Sequence, residues 1–153
     1  MNIQLSKTKH NPYRVMAVDP IDDAAVDALV ESIKEDGFWG GVVGRINDAN
    51  EVEIAAGHHR IEAAKKAGIK SAEIYIGEFD DAAMVRIYGR ENATQRGNHS
   101  TAVAGTVASA IRFLAKAQFL STGEFTSERQ GGAARDGIGR DAIRRVLYPS
   151  LLT

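Results

Sequence analysis

The chain of 153 residues contains no cysteine, which excludes a disulfide framework, a thiolate-bound zinc and a cysteine nucleophile. No apolar run approaches the roughly 20 residues needed to cross a bilayer. The start, Met1-Asn2-Ile3-Gln4-Leu5-Ser6-Lys7, lacks the apolar stretch of a signal peptide. These absences point to a soluble, cytoplasmic protein with no membrane partner. An excess of one charge is missing too, since 19 Lys and Arg stand against 20 Asp and Glu. The balance is uneven along the chain, however. The first hundred residues carry 12 basic and 16 acidic side chains, and the remainder carries seven and four. A polyanion would prefer the C-terminal third, although so small an excess also suits an ordinary solvated surface. With 44% hydrophobic residues, a chain of this length can bury a normal core without covalent staples.

Hydrophobic spacing sets the expected elements. Ile3 and Leu5 alternate with polar residues, as on an edge strand, and Asn11-Pro12-Tyr13 reads as a turn. Val26, Leu29, Val30 and Ile33 follow the spacing of one helix face, so a helix is expected from about Ile21 to Asp36, with Asp19-Pro20 as its start and Gly37 as its stop. Two strand-like runs at 42–46 and 51–56 flank Asn47-Asp48-Ala49-Asn50 and predict a hairpin. A helix from Arg60 to about Ala67 comes next, then a strand from Ser71 to Ile76, then a helix capped by Asp80 that carries Met84, Ile87 and Tyr88 as far as Glu91-Asn92. Residues 92–100 read as a polar loop. Residues 101–120 predict a long helix with Val107, Ile111, Leu114 and Ala115 on one face. Residues 127–135 suggest a weak helix interrupted by Gly131-Gly132, and Gly139 to Leu147 a better one.

Two segments carry candidate chemistry. Gly57-His58-His59-Arg60 lies between a strand and a helix. Glycine there permits close approach of a ligand to the backbone, and the helix start offers N–H groups and a positive dipole end. Arg60 adds a planar fork for phosphate oxygens, and the histidines can donate further hydrogen bonds. Plain helix capping is the competing explanation. Zinc fits poorly, because adjacent histidines do not face one ion and no third ligand stands out. The second segment is Gly89-Arg90-Glu91-Asn92-Ala93-Thr94-Gln95-Arg96. Glu91 and Asn92 offer hard oxygens suited to Mg²⁺, and Arg96 offers a phosphate partner. A solvated polar helix end explains the same residues.

Taken in order, Asn11-Pro12-Tyr13, Leu29-Val30-Glu31-Ser32-Ile33-Lys34-Glu35-Asp36-Gly37, Gly57-His58-His59-Arg60-Ile61-Glu62-Ala63-Ala64 and Glu91-Asn92-Ala93-Thr94-Gln95-Arg96 resemble the N-terminal domain of ParB, of the ParB/sulfiredoxin superfamily, also called ParB-like nuclease domains. The resemblance covers residues 1–98. It implies a mixed α/β fold, a small mixed sheet with packed helices, followed by a C-terminal helical region at 99–153 with the length of a helix-turn-helix. It also implies a nucleoside triphosphate, CTP or ATP, with Mg²⁺. By this resemblance Gly57, His58, His59, Arg60, Thr94, Gln95 and Arg96 touch phosphates, and Glu91 and Asn92 hold the metal. The chain departs from the usual ParB pattern in two places. It has Gly57-His58-His59-Arg60 where ParB has Gly-Glu-Arg-Arg, a form closer to the free-serine kinase branch. It also has Gly37-Phe38-Trp39-Gly40-Gly41 where ParB continues to Gln-Pro. Sulfiredoxin chemistry is excluded, since His58 stands at the cysteine position.

The function implied is a nucleotide-binding, DNA-associated protein, a slow NTPase switch in partition or gene regulation that can act as a homodimer. Arg140, Arg144 and Arg145 on the last helix are the candidate DNA contacts, with a purely structural helical cap as the competing role. One alternative is an enzyme of the same fold, a nuclease or small-molecule kinase, which needs a carboxylate base such as Glu31 or Glu35. Another is a DNA-binding regulator whose phosphate site is vestigial.

Overall fold

A computed structural model describes residues 1–95, 100–122 and 140–149. Two compact units emerge, Met1–Pro12 with Asp19–Asp80, and Tyr13–Val18 with Asp81–Thr153. This division places Glu91 and its neighbours with the C-terminal helices, whereas motif order groups them with residues 1–98.

The first unit is the mixed α/β part. Its strands are β1 (Asn2–Gln4), β2 (Thr8–Lys9), β3 (Val43–Ile46), β4 (Val52–Ala56), β5 (Ser71–Glu73) and β6 (Tyr75–Ile76), and its helices are α1 (Asp23–Asp36) and α2 (His58–Lys66). A four-stranded sheet has the order β2-β4-β3-β6, and β1 pairs with β5 in a second, antiparallel sheet. Within the larger sheet β3 and β4 are antiparallel, whereas β2 joins β4, and β6 joins β3, in parallel. The expected hairpin is β3–β4, and Asn50 takes a left-handed φ of 59° in its turn. Asparagine tolerates that conformation better than most residues.

Helix α1 starts two residues later than the spacing suggested. Asp22 is the cap, its carboxylate accepting from the N–H groups of Ala24 and Ala25 at 3.0 and 3.2 Å, while Asp19 is fully buried. Helix α2 begins earlier, at His58, because Gly57 caps it in the left-handed region. The single strand expected over 71–76 divides at Ile74. Its N–H donates to the Met1 carbonyl at 2.9 Å, and the next N–H, of Tyr75, donates to the Val42 carbonyl at 3.1 Å, so the chain passes from one sheet to the other. Ile3, Leu5, Val42, Val52, Ile54, Ile61, Ala64, Ala72 and Ile74 form the core, and Val26 and Val30 of α1 bury against Ala63 of α2.

The second unit contains α3 (Asp81–Gln95), α4 (Ser100–Thr122) and α5 (Arg140–Leu147). Helix α3 runs through Asn92 to Gln95, where a loop was expected. Helix α4 forms as expected but turns a different face inward. Ala102, Thr106, Ser109 and Ala110 are buried, while Val107 and Ile111 are 37% and 41% exposed. The cause is close packing on α3: a Cβ built on Gly89 would lie 3.0 Å from Thr106 Cγ2, and Asn92 donates to Thr106 Oγ1 at 3.1 Å. Small side chains and a hydrogen bond outweigh the aliphatic stripe. The expected helix over 127–135 lies outside the described residues. No described helix is long and apolar enough to cross a membrane.

Candidate functional site

The turn from β4 into α2 brings Gly57, His58, His59 and Arg60 together at one end of the first unit. Gly57 has φ 92°, and a Cβ there would meet the Gly41 carbonyl oxygen and Val42 Cγ2, each at 2.8 Å. The space above Gly57 is therefore filled by the chain's own 41–42 segment. A glycine is required there by packing and backbone conformation, whatever its part toward a ligand.

The histidines serve as acceptors in this structure. His58 is 1% exposed, and its Nε2 accepts the N–H of Asn11 at 3.1 Å. His59 Nε2 accepts the N–H of Asp22 at 3.1 Å. An imidazole nitrogen that accepts a backbone N–H does not at the same time donate through that atom. The His10 ring stacks on His58 with centroids 5.7 Å apart. The acceptors' partners, 47 and 37 residues away in sequence, carry no local signal.

Arg60 bends back over the 37–41 segment. Its Nη1 donates to the Gly40 carbonyl at 3.1 Å, and its guanidinium carbon lies 5.3 Å from the Trp39 ring centroid, within cation–π range. Trp39 is 68% exposed. A cavity of about 60 Å³ opens beside them, lined by Leu29, Ser32, Ile33, Phe38, Trp39 and Arg60 among others. Sequence reasoning did not assign Trp39, although a lone tryptophan set among glycines 37, 40 and 41 is a visible signal.

Glu31 and Glu35 are exposed on α1. Glu31 pairs with Lys34 at 2.9 Å, and neither carboxylate lines the cavity.

In the second unit, Glu91 is half-buried on α3. Asn92 is buried, and its Nδ2 donates to the Ala102 carbonyl at 3.3 Å and to Thr106 Oγ1. Its amide hydrogens thus serve helix packing. Thr94 Oγ1 donates to the Arg90 carbonyl at 2.8 Å. Gln95 closes α3, and Arg96 lies outside the described residues. Among the described residues no three His, Cys, Asp or Glu side chains gather as a metal-binding group. A Mg²⁺ shared with phosphates needs only one or two protein carboxylates, and Glu91 can supply one. On α5, Arg140, Arg144 and Arg145 are exposed while Leu147 is buried.

Comparison with known proteins places these observations. The model of the ParB N-terminal domain family matches residues 1–93. The probable chromosome-partitioning protein ParB of Xylella fastidiosa is 32% identical over 89 residues, 58% of this chain and 27% of its own length. The chromosome-partitioning protein ParB of Caulobacter vibrioides is 32% identical over 90 residues, 58% of this chain and 28% of its own length. The chain thus spans little more than a quarter of these relatives. Among solved structures, C-terminally truncated ParB from Caulobacter crescentus complexed with CTP-γ-S aligns with a TM-score of 0.47 at 20% identity, covering 95% of this chain and 96% of that one. The same protein complexed to the centromeric parS site aligns with a TM-score of 0.45 at 27% identity, covering 77% and 58%.

Proposed function

This chain belongs to the ParB N-terminal domain family, and from that membership we propose that it binds a nucleoside triphosphate, CTP or ATP, at the start of α2 and acts on DNA in partition or gene regulation. The observation that carries the reading is Arg60. Its guanidinium stands in the first turn of a helix that follows directly from a strand, where the positive end of the helix dipole favours an anion. The curated relatives, named as chromosome-partitioning proteins, support the biological setting. The nucleotide works as a switch, hydrolysed slowly, and two copies associate to act on DNA. Neither Glu31 nor Glu35 lines the cavity, which favours binding over a nuclease or kinase reaction. Glu91 and Asn92 belong to the same proposal as the Mg²⁺ ligands, with Thr94, Gln95 and Arg96 as phosphate contacts.

A second reading, a DNA-binding regulator with a vestigial phosphate site, is favoured by one observation: Arg60, His58 and His59 all engage the chain's own backbone. Thermal melting with each nucleoside triphosphate, with and without Mg²⁺, separates the two. A ligand held by the folded state alone raises the midpoint by mass action. No shift with any nucleotide up to millimolar concentration rejects the first reading and leaves the second.

A further inference from the structure

We propose that the groove at the far end of α2 is a second anion site, which takes the phosphate group of an organic phosphate independently of the start of that helix. A cavity of about 500 Å³ lies there, within the range of roughly 300–1,000 Å³ usual for small-molecule sites. One wall is Gln4 at the end of β1 with Ser6 of the 3₁₀ turn Leu5–Lys7, and the other is Lys65 of α2 with Lys70 and Ser71 beyond it. Leu5 and Ile69 complete the lining. Among the described residues no carboxylate lines it, although acids outnumber bases in the first hundred residues.

The polar side chains of this groove are uncommitted, unlike those at the other end of the helix. There Arg60, His58 and His59 all engage the chain's own backbone. Here Gln4, Ser6, Lys70 and Ser71 make no side-chain hydrogen bond or ion pair to another described residue. Lysines elsewhere in the unit have carboxylates, Lys9 with Glu51, Lys34 with Glu31 and Lys66 with Asp27. Lys65 pairs with Glu62 at 3.1 Å, and its place in the last turn of α2 also suits the helix dipole. Neither explanation covers Lys70, which follows the turn at Gly68 and stands outside the helix.

The backbone fixes the groove and removes its negative charge. The Leu5 N–H donates to the Lys70 carbonyl at 2.9 Å and so joins the two walls. Unsatisfied carbonyls at a helix end repel anions, but those of Ala63, Ala64 and Lys65 accept the N–H groups of Ala67, Ile69 and Gly68 at 2.8, 3.0 and 3.0 Å. What remains for a ligand is two ammonium groups, two hydroxyls and one carboxamide, all of which can donate. Such a set suits the several strong acceptor oxygens of a phosphate and offers a metal cation little. The organic part of the ligand then lies on Leu5, Ile69 and the lysine stems, which are apolar along their length. A free organic phosphate and a nucleic-acid backbone both carry the group, and the test separates them.

The test titrates the whole chain, labelled with ¹⁵N, with phenyl phosphate, a short DNA duplex and, as the uncharged control, phenol, and follows the backbone amide signals. Phenyl phosphate is expected to shift the amides of residues 4–6 and 69–71 saturably, and phenol is not. Lys70→Ala should weaken that binding about 2- to 5-fold, the range of one exposed ion pair. Lys70→Arg should keep it, because the charge stays, and Arg60→Ala should leave it unchanged. Saturation by phenyl phosphate alone supports a small-molecule ligand. Saturation by the duplex at the same amides, with the same dependence on Lys70, supports the site with a nucleic-acid backbone as the source of the phosphate. Shifts confined to residues 57–60 would overturn this site and leave the one at Arg60 standing. Equal shifts with phenol, equal affinity in Lys70→Ala, or no saturable shift at residues 4–6 and 69–71 with either phosphate probe would also overturn it.

Discussion

His58 Nε2 accepts the backbone N–H of Asn11 at 3.1 Å, and the adjacent His59 Nε2 accepts that of Asp22 at the same distance. Both bonds lie within the first unit, and they tie the start of α2 to the segment that ends at Pro12 and to the cap of α1. His58 is buried and His59 only partly so, which makes their contributions unequal. Removing the His58 ring leaves a buried N–H without its acceptor as well as a cavity. His58→Ala is therefore expected to cost about 2–4 kcal/mol and His59→Ala about 1 kcal/mol or less. Urea unfolding of both variants checks this, and equal midpoints for parent and His58→Ala would refute it.

Arg60 carries a different expectation, because its partners are surface carbonyls and an exposed ring. Arg60→Ala should leave the melting temperature nearly unchanged while weakening nucleotide affinity by roughly 10- to 100-fold, the range of one charged hydrogen bond. Arg60→Lys should recover only part of the loss, since a single ammonium lacks the planar fork. Calorimetry with equal affinities in parent and Arg60→Ala would remove the phosphate role.

Gly57 tests whether the turn is dictated by packing. Its φ of 92° disfavours any side chain, and the carbonyl oxygen of Gly41 stands 2.8 Å from the place of a Cβ. Gly57→Ala combines left-handed strain of about 1–2 kcal/mol with an overlap of about 1–3 kcal/mol. Loss of stability should appear even without ligand. A variant that melts like the parent would mean that the glycine serves the ligand alone.

The sequence revealed this region unevenly, for physical reasons. Helix α1 was legible because Val26 and Val30 bury with the spacing of one face, and the hairpin because Asn47 and Asn50 mark its turn. The division at Ile74 was not, because β5 and β6 are set by partners at Asn2–Gln4 and at Val43 and Gly44, far off in sequence. The inward face of α4 was missed because Thr106 and Ala102 are selected by Asn92 and Gly89 rather than by hydrophobicity. In the site, the run from Gly57 to Arg60 announced itself by its place between strand and helix. Its occupation by Gly40, Asn11 and Asp22 is tertiary and had no local sign.

Alkaline pH should destabilise the helical unit. Burial first, then a hydrogen bond to Asp81, raises the Tyr13 hydroxyl above its ordinary value. The hydrogen bond to Tyr13, then that to Asp81, raises the Lys116 ammonium. Both shifts mean that the folded chain favours the protonated form. Such stabilisation is whole below the unfolded values, near pH 10, and is lost as pH climbs through the folded ones. Melting temperature should hold to about pH 10 and fall above it. Tyr13→Phe removes one titration and the main cause of the other, so its decline should be shallower. Parallel declines in parent and variant would assign the alkaline loss to other groups.

The arginines of α5 give the last prediction. Leu147 is 7% exposed and holds the helix to its neighbours, while Arg140, Arg144 and Arg145 face water. Two explanations compete for that arrangement. Arg144 and Arg145 sit in the final turn, where cations favour the negative end of a helix dipole by about 0.3–1 kcal/mol, so they need no partner at all. If instead they meet phosphates of a duplex, binding must weaken as salt rises, because each neutralised phosphate releases counterions. The slope of log affinity against log salt should then become shallower by roughly 0.9 for each phosphate contact removed. Arg144→Ala and Arg145→Ala should each show that change, with melting temperatures lowered by no more than the dipole term explains. Gel shifts on a short duplex between 50 and 200 mM salt, the range over which such contacts weaken by orders of magnitude, provide the measurement. A duplex bound with the same slope by parent and variants, or not bound at all in low salt, would leave α5 as a structural cap and move any DNA contact elsewhere on the chain.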